Sequence, residues 1–274
     1  MESRIDFAQA DKNKAAYKLE GIPKVLWINL DRYDERRTYM EGQLNYWGIT
    51  DHHRISGVDG KEDDATSYLK GKVPSLMNHG ELGCVLSHLN AIRYFVEETD
   101  LSEVVIMEDD VDLNTAKYWN FTWKDMRKRM PINFDVCQFT IINPISLVLR
   151  LHHRFINDFS AACYLLTRHH AEKILRLHQR GDQWKIDQNI LPRPVSEDLI
   201  LDSGKTYATP LFNYRLDLGS AIHTEHIDVF HKSSCISLTD FWKTQGVEIN
   251  IDTIMDLEVY AGRIPPIPSQ KKAK

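Results

Sequence analysis

Continuous apolar runs and helix-spaced apolar stripes alternate along this chain. Val25-Leu-Trp-Ile-Asn-Leu30 is an apolar run that predicts a buried first strand. The charged turn Asp31-Arg-Tyr-Asp-Glu-Arg-Arg37 follows and enters a helix. In that helix Met40, Leu44 and Trp47 recur at near-helical spacing, and Gly48 is placed to stop it. His53-Arg-Ile-Ser-Gly57 predicts a short second strand, Gly57-Val-Asp-Gly60 a turn, and residues 61–74 a polar loop. Asn78 can cap a helix starting near Gly80, with Leu82, Val85, Leu86, Leu89, Ile92 and Phe95 as its apolar face. Glu97, Glu98 and Asp100 close it, and Val104-Val-Ile-Met107 then reads as a buried strand.

Beyond residue 112 the pattern is less regular. An aromatic segment, Tyr118 to Trp123, precedes a basic helical piece, Lys124 to Arg129. Phe134-Asp-Val-Cys-Gln-Phe-Thr140 alternates and predicts a strand, residues 141–158 are ambiguous, and Ala161-Ala-Cys-Tyr-Leu-Leu-Thr167 reads as another buried strand. Thr167 can cap a helix with Ala171, Ile174, Leu175 and Leu177 on its face, ending near Gly181. Lys205-Thr-Tyr-Ala-Thr209 reads as a last core strand, and Thr224 to Ser234 as part of a His-rich loop region. Strand-turn-helix units in this order predict an α/β fold. No internal repeat and no Ser/Gly linker is present, so residues 1–262 read as one domain, with 1–21 a polar lead-in and 263–274, after Pro265 and Pro266, a disordered tail.

Bulk composition narrows the classes. The chain has 274 residues, 42% of them hydrophobic and 27% charged, which is ordinary for a globular protein. A net charge of −5 gives a nucleic-acid partner no global electrostatic support. The cysteines Cys84, Cys137, Cys163 and Cys235 form no CxxC pair, so a zinc knuckle or redox motif is not indicated and reduced thiols are expected. No stretch approaches the roughly 20 apolar residues of a membrane-spanning helix. A cytoplasmic protein, at most peripheral at a membrane, is therefore the expectation. Lys271-Lys-Ala-Lys274 has the form of a dilysine retrieval signal but reads as a basic tail, and Asn120-Phe-Thr122 is a glycosylation sequon without an evident secretion route.

The candidate chemistry lies where the strand ending at Met107 runs into Glu108, Asp109 and Asp110. Acids packed against a buried strand repel one another and are costly to desolvate. A hard divalent cation with oxygen ligands would offset that, and ligands in open α/β sheets collect outside the carboxyl ends of strands. The alternative is a solvated acidic turn. If the first strand is parallel to this one, Arg32, Arg36 and Arg37 reach the same edge, as phosphate contacts or as solvated first-turn residues. Gly204-Lys-Thr206 lacks the earlier glycine of a phosphate loop, Asp110-x-Asp112-x-Asn114 lacks the glycine and glutamate of a calcium loop, and His223-Thr-Glu-His226 lacks the spacing of a zinc-protease helix.

Four segments together resemble glycosyltransferase family 25, the lipooligosaccharide and procollagen galactosyltransferase family. They are Ile28-Asn-Leu-Asp-Arg32 with Arg36, Arg37 and Met40; Gly57-Val-Asp-Gly60; Gly80-Glu-Leu-Gly-Cys-Val-Leu-Ser-His88; and Val105-Ile-Met-Glu-Asp-Asp-Val111. Their order and spacing match over about residues 24–112, and beyond that the match weakens. The resemblance implies a GT-A type fold with a central mixed, mainly parallel sheet flanked by helices. It also implies a UDP-sugar donor, Mn2+ (or Mg2+), and inverting transfer of galactose or glucose to a glycan or other hydroxylated acceptor.

Carried onto this sequence, the resemblance makes Asp110 the foremost metal ligand, with Glu108 or Asp109 as a second contact to metal or ribose and His223 or His231 as a late third ligand. It places Asn29, Leu30, Arg32, Arg36, Asp59, Ser87 and His88 at the donor, beside Glu108 and Asp109. A lone helical histidine such as His88 reads equally as a satisfied core residue. Glu197-Asp198 resembles the late acidic pair of inverting enzymes, with Asp198 the first choice as base and Glu197 the second; the pair reads also as the cap of a helix beginning at Ser196. The competing function is a binding module of the same fold without catalysis. A metal phosphohydrolase is disfavoured, because no histidine joins Asp31, Asp34 and the adjacent Glu35 near the first strand.

Overall fold

The structure is a computed structural model and describes residues 13–143, 145, 147–186, 193–218 and 231–257. Strand β1 (Val25–Asn29) is buried along its whole length, as a continuous apolar run inside a covered sheet must be. Along the chain follow α1 (Asp34–Tyr46), β2 (His52–Ser56), α2 (His79–Glu98), β3 (Glu103–Glu108), β4 (Val111–Asp112), α3 (Trp123–Arg129) and β5 (Val136–Gln138). Next come β6 (His152–His153), β7 (Cys163–Thr167), α4 (Arg168–His178), β8 (Gln179–Arg180) and β9 (Gln183–Trp184). Strands β10 (Thr206–Ala208) and β11 (Asn213–Tyr214) precede α5 (Lys232–Gln245) and α6 (Ile251–Met255).

Successive side chains of a strand face opposite ways, and here they sort into two cores. Val25 and Trp27 join Val105, Met107, Cys137 and Leu165 on one face, under Met40 and Leu44 of α1, Met126 of α3 and Trp242 of α5. Leu26 and Ile28 join Val104, Ile106, Val136 and Leu166 on the other, under the apolar stripes of α2 and α4. The sheet is therefore the middle of three layers. Seven strands run in the order β2-β1-β3-β7-β5-β10-β6. The pairs β1–β2, β1–β3 and β5–β10 are parallel, whereas β7 and β6 run antiparallel to their neighbours. This is the mixed, mainly parallel α/β sheet expected of a GT-A type fold.

Local signals set the element ends. The Asn78 side chain accepts from the Glu81 N–H while the Glu81 carboxylate accepts from the Asn78 N–H, a reciprocal box that starts α2. Thr167 caps α4, and Gly48 leaves α1 with φ +69°. None of the four cysteines forms a disulfide. No helix among the described residues is long and apolar enough to cross a membrane.

Three readings need correction. The alternating run 134–140 keeps ladder pairing only over β5, while Asp135 and Phe139 donate to the carbonyls of Lys205 and Cys163 outside it. Helix α4 ends at His178, and Gly181, with φ +65°, turns the β8–β9 hairpin instead. The His-rich region is helical from Lys232, and α5 and α6 form where the sequence pattern predicts no helix. Only Ser234, Leu238 and Trp242 of α5 are buried, a stripe too sparse to stand out. The 263–274 tail lies outside the described residues.

Candidate active site

Strands β1 and β3 are parallel, with Ile28 beside Glu108. Their carboxyl ends open on one edge, where a cleft of about 600 Å³, counting the solvent in its mouth, has formed. The wall on the β2 side comes from Gly57-Val-Asp-Gly60, which packs directly on α2. A β-carbon on Gly60 would stand 1.7 Å from the His79 carbonyl oxygen, and one on Gly83 would stand 2.6 Å from the Gly60 nitrogen. The Ser87 hydroxyl accepts from the Val58 N–H at 2.8 Å and donates to the Gly83 carbonyl at 2.7 Å. Ser87, expected at the donor, thus ties the turn to the helix while also lining the cleft.

The three acids diverge. Asp109 is buried, accepting from Asn29 Nδ2 at 2.7 Å and from Arg36 Nη1 at 2.6 Å. Burial lifts its carboxyl above the ordinary range against the pull of Arg36. Asp110 stands 3.5 Å from the same guanidinium nitrogen. Its carboxyl is pushed up to about 7 by burial, with Glu108 and Asp109 adding to the rise and Arg36 opposing it. Glu108 turns the other way: its Oε1 lies 3.2 Å from His88 Nε2 and 3.7 Å from Cys84 Sγ. Burial works to raise the Glu108 carboxyl, but the His88 contact and Arg36 outweigh it and hold the group below its usual range. The Tyr164 hydroxyl, 3.0 Å from His88 Nδ1, fixes the ring from behind.

Arg36 therefore supplies cationic charge that the acids require, from within the protein. It is buried, and its Nη2 also donates to the Leu218 carbonyl at 3.3 Å. The solvated-turn reading fails for it. Arg32 pairs with Asp59 across the cleft wall and lies 3.7 Å from Glu62. Arg37 donates to Asn29 Oδ1 at 3.3 Å and to the Asp31 carbonyl at 3.0 Å, and is not part of the lining. Arg36 meets Asp109 and Asp110, and burial, with Glu108 and Asp109 adding to it, still keeps the Asp110 carboxyl raised. Oxygen-only donors suit a hard divalent cation, and Asp110 with Asp109 could hold one, whereas Glu108 faces His88 and Cys84.

The Glu197-Asp198 pair sits in a π-helical turn, Glu197–Leu201. It flanks the cleft through Ser196, whose Oγ is 3.4 Å from Cys84 Sγ. Glu197 Oε1 accepts from the Ser160 N–H at 2.9 Å, and Ser160 is held at φ 93°, in the left-handed region where a non-glycine residue is strained. Asp198 Oδ2 accepts from the Val195 N–H at 3.2 Å, so the capping alternative is partly realised by Asp198 rather than by Ser196. Burial, helped by Asp202 and Glu197, raises the Asp198 carboxyl. His223 lies outside the described residues. The His231 carbonyl accepts from the Tyr214 hydroxyl at 2.5 Å just before α5. Sequence reasoning missed Cys84 and Ser196; the four-residue spacing of Cys84 and His88 on one helix was the available signal.

Comparison with known proteins points to one family. Residues 22–190 match the model of the family described as "Glycosyltransferase family 25 (LPS biosynthesis protein)". A "Glycosyltransferase 25 family member" of Drosophila melanogaster is 33% identical over 118 residues, 39% of this chain and 19% of that protein. A protein of the same description from Drosophila pseudoobscura pseudoobscura is 35% identical over 129 residues, 43% of this chain and 20% of the relative. One from Anopheles gambiae is 34% identical over 101 residues, 33% of this chain and 17% of its own length. The chain thus spans no more than about a fifth of the length of these relatives.

Proposed function

The chain belongs to glycosyltransferase family 25, and on that premise we propose that it is an inverting, metal-dependent enzyme moving galactose or glucose from a UDP-sugar to a hydroxyl of a glycan or other hydroxylated acceptor. The observation that carries the reading is the convergence of β1 and β3 on one cleft lined by Glu108 and Asp109, with Asp110 next to them and 3.5 Å from Arg36.

When bound by Asp110 and a neighbouring acid, Mn2+ or Mg2+ would neutralise the charge that grows on the diphosphate as the sugar leaves. The protein's own groups do the rest. Arg36 holds Asp109 in place, and Asn29 locks the other carboxylate oxygen, so the acid edge is rigid before the donor arrives. Arg32, half-exposed on the cleft wall, is placed to exchange Asp59 for a phosphate oxygen. Asp198 takes the acceptor proton as the hydroxyl attacks, and its raised carboxyl makes it a stronger base than an exposed aspartate. Glu197 is the second choice, since its carboxylate already holds the Ser160 amide.

A panel of UDP-sugars with manganese, read by UDP release with and without a hydroxylated acceptor, tests the proposal. Acceptor-dependent release supports transfer. Release that ignores the acceptor means hydrolysis. Binding without release leaves a non-catalytic sugar-nucleotide module, a reading favoured by one observation only: Arg36 already pairs with two of the three acids.

A further inference from the structure

Cys84 and His88 are four residues apart on α2, on one face of the helix, and Glu108 meets them from the end of β3. The ring nitrogen His88 Nε2 and the Cys84 sulfur approach the same Glu108 oxygen, at 3.2 Å and 3.7 Å. The three donor atoms all lie within 4.8 Å of one another. Zinc bonds of about 2.3 Å to sulfur and about 2.0–2.1 Å to nitrogen and oxygen put tetrahedral ligands roughly 3.3–3.6 Å apart, close to the two separations from Glu108.

We propose that Cys84, His88 and Glu108 form a site for a thiophilic divalent cation such as zinc. Sulfur and imidazole select such an ion over the hard cations suited to Asp109 and Asp110, which offer oxygen alone. All three residues line the cleft, so a fourth ligand can come from solvent. Supporting groups are already in place. The Tyr164 hydroxyl contacts His88 Nδ1 at 3.0 Å, and Ser196 Oγ lies 3.4 Å from Cys84 Sγ; partners of this kind orient metal ligands and set their tautomers. On binding, the Cys84 thiol gives its proton to the buffer, the His88 proton resides on Nδ1 with the Tyr164 oxygen accepting, and Nε2 presents its lone pair. Glu108 enters as the carboxylate. The site shares its cleft with the sugar-transfer reading but uses neither Asp109 nor Asp110, and its test involves no sugar nucleotide.

The experiment is cobalt titration of the full chain after chelator treatment. A thiolate-to-cobalt charge-transfer absorption should appear, saturate at one cobalt per chain and be displaced by zinc. Cys84→Ser should abolish the band and weaken zinc binding by at least about tenfold, with an unchanged melting temperature in metal-free buffer. No band in the wild type, or a band that survives Cys84→Ser, overturns the site. Should the serine variant not fold, X-ray absorption at the zinc edge of the wild type decides: one sulfur among nitrogen and oxygen ligands supports the site, and a shell without sulfur overturns it.

Discussion

Gly60 and Gly83 meet backbone to backbone, so close that a β-carbon on Gly83 would stand 2.6 Å from both the Gly60 nitrogen and the Val58 carbonyl oxygen. Neither glycine has positive φ. What each position requires is space rather than conformational freedom. The contact seats the Gly57–Gly60 turn against the first turns of α2 and so forms one wall of the cleft.

Gly83→Ala should therefore lower stability by about 1–3 kcal/mol, the usual cost of overpacking. For a chain of this size that is a fall in Tm of about 2–4 °C for each kcal/mol. Calorimetry of the variant checks it, with donor affinity measured alongside, because the displaced wall belongs to the cleft. An unchanged Tm would mean the turn can retreat without loss.

Asp110→Asn should abolish transfer while leaving the fold intact. The amide keeps the shape and removes a charge that burial and the neighbouring Glu108 and Asp109 already disfavour, so the variant should melt no earlier than the wild type. Manganese affinity should fall by at least about tenfold, judging from what changes behind metal ligands do. Full manganese-dependent turnover in the variant would remove Asp110 from the metal site.

Arg32 and Arg36 follow the same strand but should behave differently. Arg36→Ala strands Asp109 and Asp110 without their cation, and removing one partner of a buried pair costs about 3–5 kcal/mol. Arg32 is half-exposed beside Asp59, and exposed pairs contribute about 0–1 kcal/mol. Arg32→Ala should thus leave Tm nearly unchanged and raise the donor KM more than the acceptor KM. A Tm loss with an unaltered donor KM would make Arg32 structural.

How much of this could be read from sequence divides by mechanism. The strands at Val25 and Val104, the Asn78 cap and the acids after Met107 were legible, because each rests on local pattern or on residue type at an element end. The partner of the acids was not: Arg36 lies 73 positions from Asp109, and only the parallel pairing of β1 and β3 brings them together. The same holds for Glu197, which reaches Ser160 across 37 positions. Helix α5 was missed for a different reason, since it buries one residue per turn and its pattern never rises above a polar background.

His170 makes stability pH-dependent. Its Nε2 donates to the Ile200 carbonyl at 2.8 Å, and its Nδ1 is buried without a hydrogen-bond partner. Burial lowers its pKa, with Lys173 and His169 helping and the Ile200 carbonyl and Asp135 opposing. The unfolded chain, with histidine near 6.5, then binds the proton first. The contribution is fully present above about pH 6.5 and is lost as pH falls toward and through the lowered folded value. Urea melts of wild type and His170→Gln across that window should show the wild type losing more stability on acidification; parallel curves would assign the slope to other groups.

Conservative variants separate the two roles open to the acidic pair. If Asp198 removes the acceptor proton, Asp198→Asn should lower kcat by about 10²–10⁴, with donor KM and metal affinity almost unchanged, because the group meets the acceptor rather than the diphosphate. The asparagine oxygen can still accept from the Val195 N–H, so Tm should barely move. Glu197→Gln should be milder, since the amide oxygen can go on holding the Ser160 N–H. Glu197→Ala should not be: it releases Ser160 from its φ of 93° and should lower Tm as well as kcat. A larger kcat loss in Glu197→Gln than in Asp198→Asn moves the base to Glu197 and leaves the mechanism standing. Wild-type kcat in both variants would leave the pair as turn-forming residues only, and the base would have to come from another element of the cleft.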